Sequence, residues 1–238
     1  MLLNLILSSA LTLAPSNLYN QGNKLYEQKD YARAAQVYRQ ALEAGPSADV
    51  HYNLGNALFK SGSIGQAIVQ YRRAYYLDPR DADIRTNLLF ARSYRVDKVL
   101  AVPSPLARVL DETFHLLSRR EAAPLAAVLF ALAALSLSVW IVRRGTVLVA
   151  VTIVFGALSV FCLVTQWVWA GEVNAQPAVV VAPEVNALSG PAEEYKQILL
   201  LHDGSEVRIR ESRGGYLLVQ LPGGSGGWIR KDAAERVY

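Results

Sequence analysis

Two uninterrupted apolar runs constrain this chain more than any other feature. Residues 122–142 read AAPLAAVLFALAALSLSVWIV, 21 residues without a charge, and residues 145–171 read GTVLVAVTIVFGALSVFCLVTQWVWAG, a further 27. A helix needs about 20 apolar residues to cross the hydrocarbon core of a bilayer. A soluble helix is seldom apolar on every face over such a length. The runs predict two transmembrane helices over 121–171, joined tightly at Arg143-Arg144-Gly145. Trp140, Trp167 and Trp169 stand near span ends, where interfacial aromatics belong. No ionisable residue interrupts either span, which favours an anchor over an ion or proton pathway.

Arg143 and Arg144 precede the second span and Glu172 follows it. Positive charge stays inside, so the loop is expected in the cytoplasm and both flanking parts outside it. Arg119 and Arg120, on the outer flank of the first span, pull the other way. Residues 1–14 have the length and small-residue ending of a signal peptide but lack its positive n-region. The other possibility is a short N-terminal helix packed on the first helices after it. Both soluble parts are thus expected to be extracytoplasmic.

Composition narrows the classes. The chain is 52% apolar and 18% charged, against about 25% charged in an average globular protein. Disordered polyelectrolytes and collagen-like rods are excluded. A single cysteine, Cys162, excludes a disulfide framework and a multi-cysteine metal site. The net charge of +4 is modest, and no segment is basic enough for a nucleic-acid footprint.

Before the membrane, residues 17–46 and 50–79 superimpose at an offset of 33. Gly22 matches Gly55, Leu25 matches Leu58, Ala34 matches Ala67, Tyr38 matches Tyr71, Ala41 matches Ala74 and Pro46 matches Pro79. Self-similarity at this period indicates stacked helical hairpins. The glycines are expected where the two helices of a hairpin cross, with the alanines 34 and 67 as small partners and the tyrosines filling the space between hairpins. Turns are expected near Lys29-Asp30 and Ser61-Gly62-Ser63, and residues 82–97 fit one capping helix. Two repeats and a cap, over 15–98, predict marginal stability alone.

This pattern resembles the tetratricopeptide repeat. The second copy reads His51-x2-Leu54-Gly55-x2-Leu58, Ala67-x3-Tyr71, Pro79, and the first Leu18-x2-Gln21-Gly22-x2-Leu25, Ala34-x3-Tyr38, Pro46. The resemblance implies a peptide-binding groove lined by Tyr19, Asn23, Tyr26, Tyr52, Asn53, Asn56 and Phe59, with Asn87 from the cap. Asn23 and Asn53 fit a carboxylate clamp, but Tyr19, Asp83 and Asn87 hold its cationic places, so an extended peptide or a helix is the better occupant. Equally, the asparagines follow the repeat pattern and the tyrosines pack.

Residues 99–120 hold Pro103 and Pro105, then Leu106, Val109, Leu110, Phe114 and Leu117 at helical spacing. A short amphipathic helix is expected there, either on the membrane surface or against the repeats. After the membrane, 172–238 carries about five short apolar runs separated by turn chemistry such as Asp203-Gly204-Ser205 and Pro222-Gly223-Gly224, as in a small β-barrel. The order VVVAPEVNALSGP, LLLHDGSEVRI, GGYLLVQLPGG, GWIRKDAAERV resembles a bacterial SH3-like domain. That resemblance implies a binding face with Tyr195, Tyr216 and Trp228, or a core role for Trp228. The fold class expected is thus multidomain: α-helical repeats, a membrane hairpin and a small all-β barrel.

No constellation of nucleophile, base and stabiliser is visible. His51, His115 and His202 lie in three different segments, and His202 reads as a turn residue. No enzyme activity, cofactor or metal is expected. The whole arrangement resembles the BatE-type, tetratricopeptide-bearing branch of the Bat (Bacteroides aerotolerance) membrane proteins. The resemblance implies a scaffold beside von Willebrand A-domain membrane proteins and other Bat components, with a MoxR-type ATPase, in envelope integrity or oxidative-stress tolerance. It also implies a bacterial inner membrane as the location, with both soluble parts periplasmic. Membrane lipid is a further expected partner. The alternative is a sensor that binds peptidoglycan through the SH3-like domain.

Overall fold

The computed structural model describes residues 15–97 and 104–238. The signal-like segment 1–14 and the start of the juxtamembrane stretch lie outside the described residues. Five helices open the chain: α1 (Pro15–Glu27), α2 (Tyr31–Leu42), α3 (Ala48–Lys60), α4 (Ile64–Leu77) and α5 (Ala82–Ser93). They pack as two antiparallel hairpins and a cap. Side chains start several of them: Asp30 accepts from the Arg33 amide, Ser47 from Val50, and Asp81 from Asp83 and Ile84. Each satisfies a donor that a helix N-terminus otherwise leaves orphaned. Lys29 at φ 63° and Gly62 at φ 87° make the two hairpin turns. The core between the helices is built from Ala34, Tyr38, Leu54, Ala57, Ala67 and Tyr71, all nearly solvent-free.

The glycine contacts differ from expectation. A Cβ on Gly22 would sit 2.4 Å from the Tyr38 ring, and one on Gly55 would sit 2.7 Å from the Tyr71 ring. The tyrosines therefore lie over the glycines of their own hairpins. The glycines make room for a ring rather than for an alanine.

Helix α6 (Pro105–Phe114) leads into α7 (Arg119–Arg143) and α8 (Thr146–Asn174). Both long helices are apolar and long enough to cross a membrane. Small side chains line their contact: Ala122, Ala126, Ala133 and Ser136 on α7, Ser159 and Cys162 on α8 are buried. The Ser136 hydroxyl donates to the Leu148 carbonyl at 3.0 Å, and that of Ser159 to Ala126 at 3.0 Å. Small residues and hydroxyl glue are how helices associate where the hydrophobic effect is absent. Phe130, Val142 and Val147 face outward, each at least two-thirds exposed. Arg144 turns the chain between the helices at φ 54°. Trp167 is exposed, but Trp169, expected at the interface, is fully buried. Its indole donates to the Leu117 carbonyl at 3.0 Å, and its ring packs edge-on against Tyr76.

The tail forms seven strands rather than about five: β1 (Pro177–Val180), β2 (Glu184–Leu188), β3 (Gln197–His202), β4 (Glu206–Arg213), β5 (Tyr216–Gln220), β6 (Gly226–Arg230) and β7 (Ala234–Arg236). All pairings are antiparallel, in the order β3-β2-β6-β5-β4-β1-β7. The outer strands β3 and β7 do not pair, so the sheet is not closed into the expected barrel. Past β7 the Val237 amide still donates to the Pro177 carbonyl of β1 at 2.9 Å, while the Val237 side chain is buried in the repeat core and Tyr238 packs against the same cluster. The sheet keeps a core of its own, with Val180, Leu201, Leu217 and Ile229.

The sheet docks on the repeats. Ile68 and Val69 of α4 pack with Val179 and Val237 in one cluster. Gly65 lets β1 approach, since a Cβ there would lie 2.2 Å from the Val180 carbonyl oxygen. The Gly65 amide donates to Asp203 Oδ1 at 3.0 Å, so a carboxylate 138 residues away caps α4. Asp97 receives the His202 amide at 2.9 Å and the Ser205 hydroxyl. His202 is therefore a docking residue, not only a turn residue. Arg73 donates to the carbonyls of Arg236 and Val237 at 2.7 and 2.9 Å.

Glu206 is the centre of this contact. Arg92 grips both its oxygens at 2.8 Å each, Arg95 reaches it at 2.7 Å and Arg72 at 3.4 Å. Burial opposes ionisation of Glu206, but Arg92, followed by Arg72 and Arg95, outweighs it and holds the pKa below the usual carboxylate range. A group with a depressed folded pKa stabilises fully above its unfolded value of about 4.3, and this is lost as pH falls through the folded value. Glu206→Gln should thus destabilise the docked body by about 2–3 kcal/mol at pH 7, because three partly buried guanidinium groups lose their counter-charge. In thermal unfolding of the full-length protein, the gap between the wild type and the variant should narrow as pH drops below about 4.

Candidate functional site

The inner helices α1, α3 and α5 carry all eight residues expected to line the repeat groove. The structure joins six of them in two similar hydrogen-bonded rungs. In the first, Tyr38 donates to Asn23 Oδ1 at 2.7 Å, and Asn53 Nδ2 bridges Asn23 Oδ1 and the Tyr19 hydroxyl at 3.1 and 3.0 Å. In the second, Tyr71 donates to Asn56 Oδ1 at 2.7 Å, and Asn87 Nδ2 bridges Asn56 Oδ1 and the Tyr52 hydroxyl at 3.0 and 2.9 Å. Each asparagine therefore ties an inner helix to its neighbour.

Burial, above all, pushes the Tyr38 and Tyr71 phenols far above their ordinary value. They stay protonated donors throughout the physiological range. Tyr52 is raised by burial as well, and Tyr26 by burial and by Tyr31, whose ring meets it at 5.2 Å.

These asparagines have a structural task that their sequence pattern leaves open beside recognition. The two roles are compatible. Asn23 and Asn56 use their carbonyl oxygens in the rungs, while Asn53 and Asn87 use their amide nitrogens. The opposite atom of Asn23, Asn53 and Asn87 takes no other side-chain bond among the described residues, whereas Asn56 also bears on the Tyr52 hydroxyl. All four are half-buried. The groove floor thus presents fixed donors and acceptors at a spacing set by the repeat.

Phe59 lies at the other end of this floor. It meets Phe90 at 5.5 Å and Tyr94 at 5.2 Å, edge-on to the latter. Phe90 and Tyr94 are more than half exposed. Sequence reasoning missed both as site residues. The available signal was position: Phe90 follows Asn87 by three residues on the capping helix, so both fall on one face.

On the sheet, the three expected residues are only partly gathered. Leu218 pairs with Trp228 and Tyr216 with Arg230, so Tyr216 and Trp228 share one face. That face is opposite Leu217 and Ile229, which fill the sheet core. Trp228 is nearly buried even so, and the Arg213 guanidinium lies 5.8 Å over its ring. Tyr195 stands apart in the loop before β3, half-exposed, with its ring against Gly190.

The histidines do not meet. His51 is buried beside Gln70 at 2.8 Å, and burial lowers its pKa, which marks it as a neutral core group. His202 serves the docking contact. His115 is drawn to Asp111 and Glu172, a grouping that sequence spacing does not reveal because Glu172 lies 57 residues further on.

Residues 19–82 match the tetratricopeptide repeat family. No curated protein matches the chain. The matched span covers α2, α3 and α4 and most of α1, ending at the start of α5. Repeats of this type suggest a role in protein–protein interaction.

The rungs make a sharp prediction. Gly55→Ala drives a methyl group into the Tyr71 ring and should destabilise the repeats by about 1–3 kcal/mol. Gly223→Ala, where nothing lies within 4 Å of the new methyl, should leave the thermal midpoint of the full-length protein unchanged.

Proposed function

We propose that this protein is a non-enzymatic membrane scaffold that holds partner proteins in its repeat groove. The observation that carries the reading is the groove itself: half-buried amide groups fixed in two rungs, ending in exposed Phe90 and Tyr94. An extended peptide or a helix with an apolar anchor suits such a surface. The two long apolar helices act as the anchor. The repeats and the sheet share a core, so they lie on one side of the membrane. With Arg143 and Arg144 at the turn of the hairpin, the positive-inside rule puts that side outside the cytoplasm. Arrangement and order together support a place in a Bat-type system with von Willebrand A-domain membrane proteins, in envelope or oxidative-stress tolerance.

Two measurements test this. Full-length tagged protein captured from membranes in mild detergent should bring such membrane proteins with it. Phe90→Ser should cut that recovery about tenfold or more while leaving thermal unfolding unchanged, since Phe90 is largely exposed. Undiminished recovery sinks the groove reading. For topology, cysteines placed singly at Lys60, Arg230 and Arg144, in a Cys162→Ser background, should separate under an impermeant thiol reagent. Lys60→Cys and Arg230→Cys should label from outside intact spheroplasts and Arg144→Cys only after lysis.

A second reading rests on the sheet. Tyr216 and Trp228 share a face, as a peptidoglycan-binding surface would require. Sedimentation of the full-length protein with purified cell wall, lost on Tyr216→Ala, would favour it.

A further inference from the structure

Helix α6 turns its polar side toward the protein and its apolar side away from it. At the helical period, Leu106, Val109, Leu110 and Phe114 fall on one side, and Arg108, Asp111, Glu112 and the capping His115 on the other. The polar side borders a cavity that α6 shares with Tyr75 of α4, Arg85 of α5 and Glu172 of α8. His115 is nearly solvent-free there, and its Nε2 lies 3.0 Å from Glu172 Oε1. On the other side, Leu106, Val109 and Leu110 are between 46 and 67% exposed. A surface helix of a water-soluble protein has the opposite arrangement, with its apolar stripe against the core. We propose that α6 lies in the membrane surface on the side of the repeats, with its apolar side in phospholipid, held by apolar burial rather than by attraction to anionic headgroups. This rests on α7 and α8 being the membrane spans.

Helix α6 has 10 residues, and none of them is buried among the described residues. Isolated helices shorter than about 12–15 residues are marginal in water. A medium other than water therefore has to cover this one. Its own polar groups are ready for that medium. The Ser104 hydroxyl oxygen accepts from the Ala107 amide at 3.2 Å, and Pro105 brings no amide hydrogen to the first turn. Thr113, the one hydroxyl on α6, donates back to the Val109 carbonyl at 2.6 Å. An unpaired hydroxyl would resist transfer out of water.

Two contacts with α8 set the height of α6. Phe114 stacks on Phe161 at 5.6 Å, inside the charge-free run 145–171. Its neighbour His115 reaches Glu172, the first charge after that run. Those two α8 positions are 11 residues apart, about 16 Å along a helix. Adjacent residues of the chain thus reach one partner within the span and one past its end, so they stand astride the border. Through the Phe114–Phe161 contact the apolar side of α6 continues onto the apolar span of α8. The helix carries one arginine, Arg108, against Asp111 and Glu112. With no basic excess, anionic lipid adds no attraction, and the buried apolar area supplies the binding.

The test uses the full-length protein in lipid nanodiscs, in a Cys162→Ser background, with a nitroxide on one introduced cysteine. Power saturation compares its collisions with oxygen, which favours lipid, and with a nickel chelate, which stays in water. Val109→Cys and Leu110→Cys should favour oxygen and report depths of about 5–10 Å, while Glu112→Cys should favour nickel. All three side chains are exposed, so the label leaves the packing intact. The depths should be equal in nanodiscs of phosphatidylcholine alone and in nanodiscs that also hold anionic lipid. Phe130→Cys on α7 and Lys60→Cys on the repeats set the lipid and water limits. If Phe130→Cys meets lipid and Val109→Cys meets water, the spans stand and the placement of α6 falls. If Phe130→Cys meets water, the membrane reading falls and takes this one with it. A Val109→Cys label shielded from both reagents means that a protein surface covers α6, and entry confined to anionic nanodiscs means that charge drives it. Either result overturns the proposal.

Discussion

A single carboxylate, Glu206, organises the part of this molecule that stands clear of the apolar hairpin. It sits on the first position of β4 and reaches three arginines of the repeat region. Burying an ion is costly, and an ion pair repays the cost only when its geometry is good and its remaining lone pairs are used. Here each oxygen meets two guanidinium groups. Around that point the apolar contact of Ile68, Val69, Val179 and Val237 closes over, and Asp203 and Asp97 fix the register from either side. The polar contacts set the angle of approach, and the apolar cluster supplies the non-directional attraction.

This contact also resolves a question of size. Two repeats with a cap are few for a solenoid, whose units cannot bury their apolar faces alone. A sheet of some 60 residues is near the lower limit for folding alone. Neither part stands alone. The sheet packs on α4, and the side chains of the C-terminal residues Val237 and Tyr238 join the repeat core.

Much of this was legible beforehand. The period of 33, the turns at Lys29 and Gly62 and the length of the apolar runs come from spacing and composition, which act locally. Strands β2 and β7 were missed because one is short of apolar residues and the other has three residues. The docking was missed for another reason: it lies in a departure from the repeat, not in the repeat. Where the second copy has Gly65, Ile68 and Val69, the first has Ala32, Ala35 and exposed Gln36. Those three differences are what the sheet needs, for close approach and for apolar cover. The groove residues were found by resemblance, but their hydrogen-bonded rungs were not, since a bond between Asn53 and Asn23 depends on how neighbouring hairpins stack. The His115 cluster was beyond reach because its partners are brought together only by the fold of the hairpin.

Gly65 and its carboxylate cap have a consequence for the order of assembly. The amide at the start of α4 is made early in synthesis, and the residue that satisfies it comes 138 positions later, after both long apolar helices. Until those helices are in place, α4 keeps an unpaired end, an uncovered Ile68 and Val69, and three arginines without their counter-charge. A chain whose two long apolar helices failed to bring the sheet back to α4 could never close this face. Completion of the docked body therefore records that the hairpin between its two parts has formed. A half-made or misthreaded molecule would advertise itself by the sticky, positively charged surface it still displays.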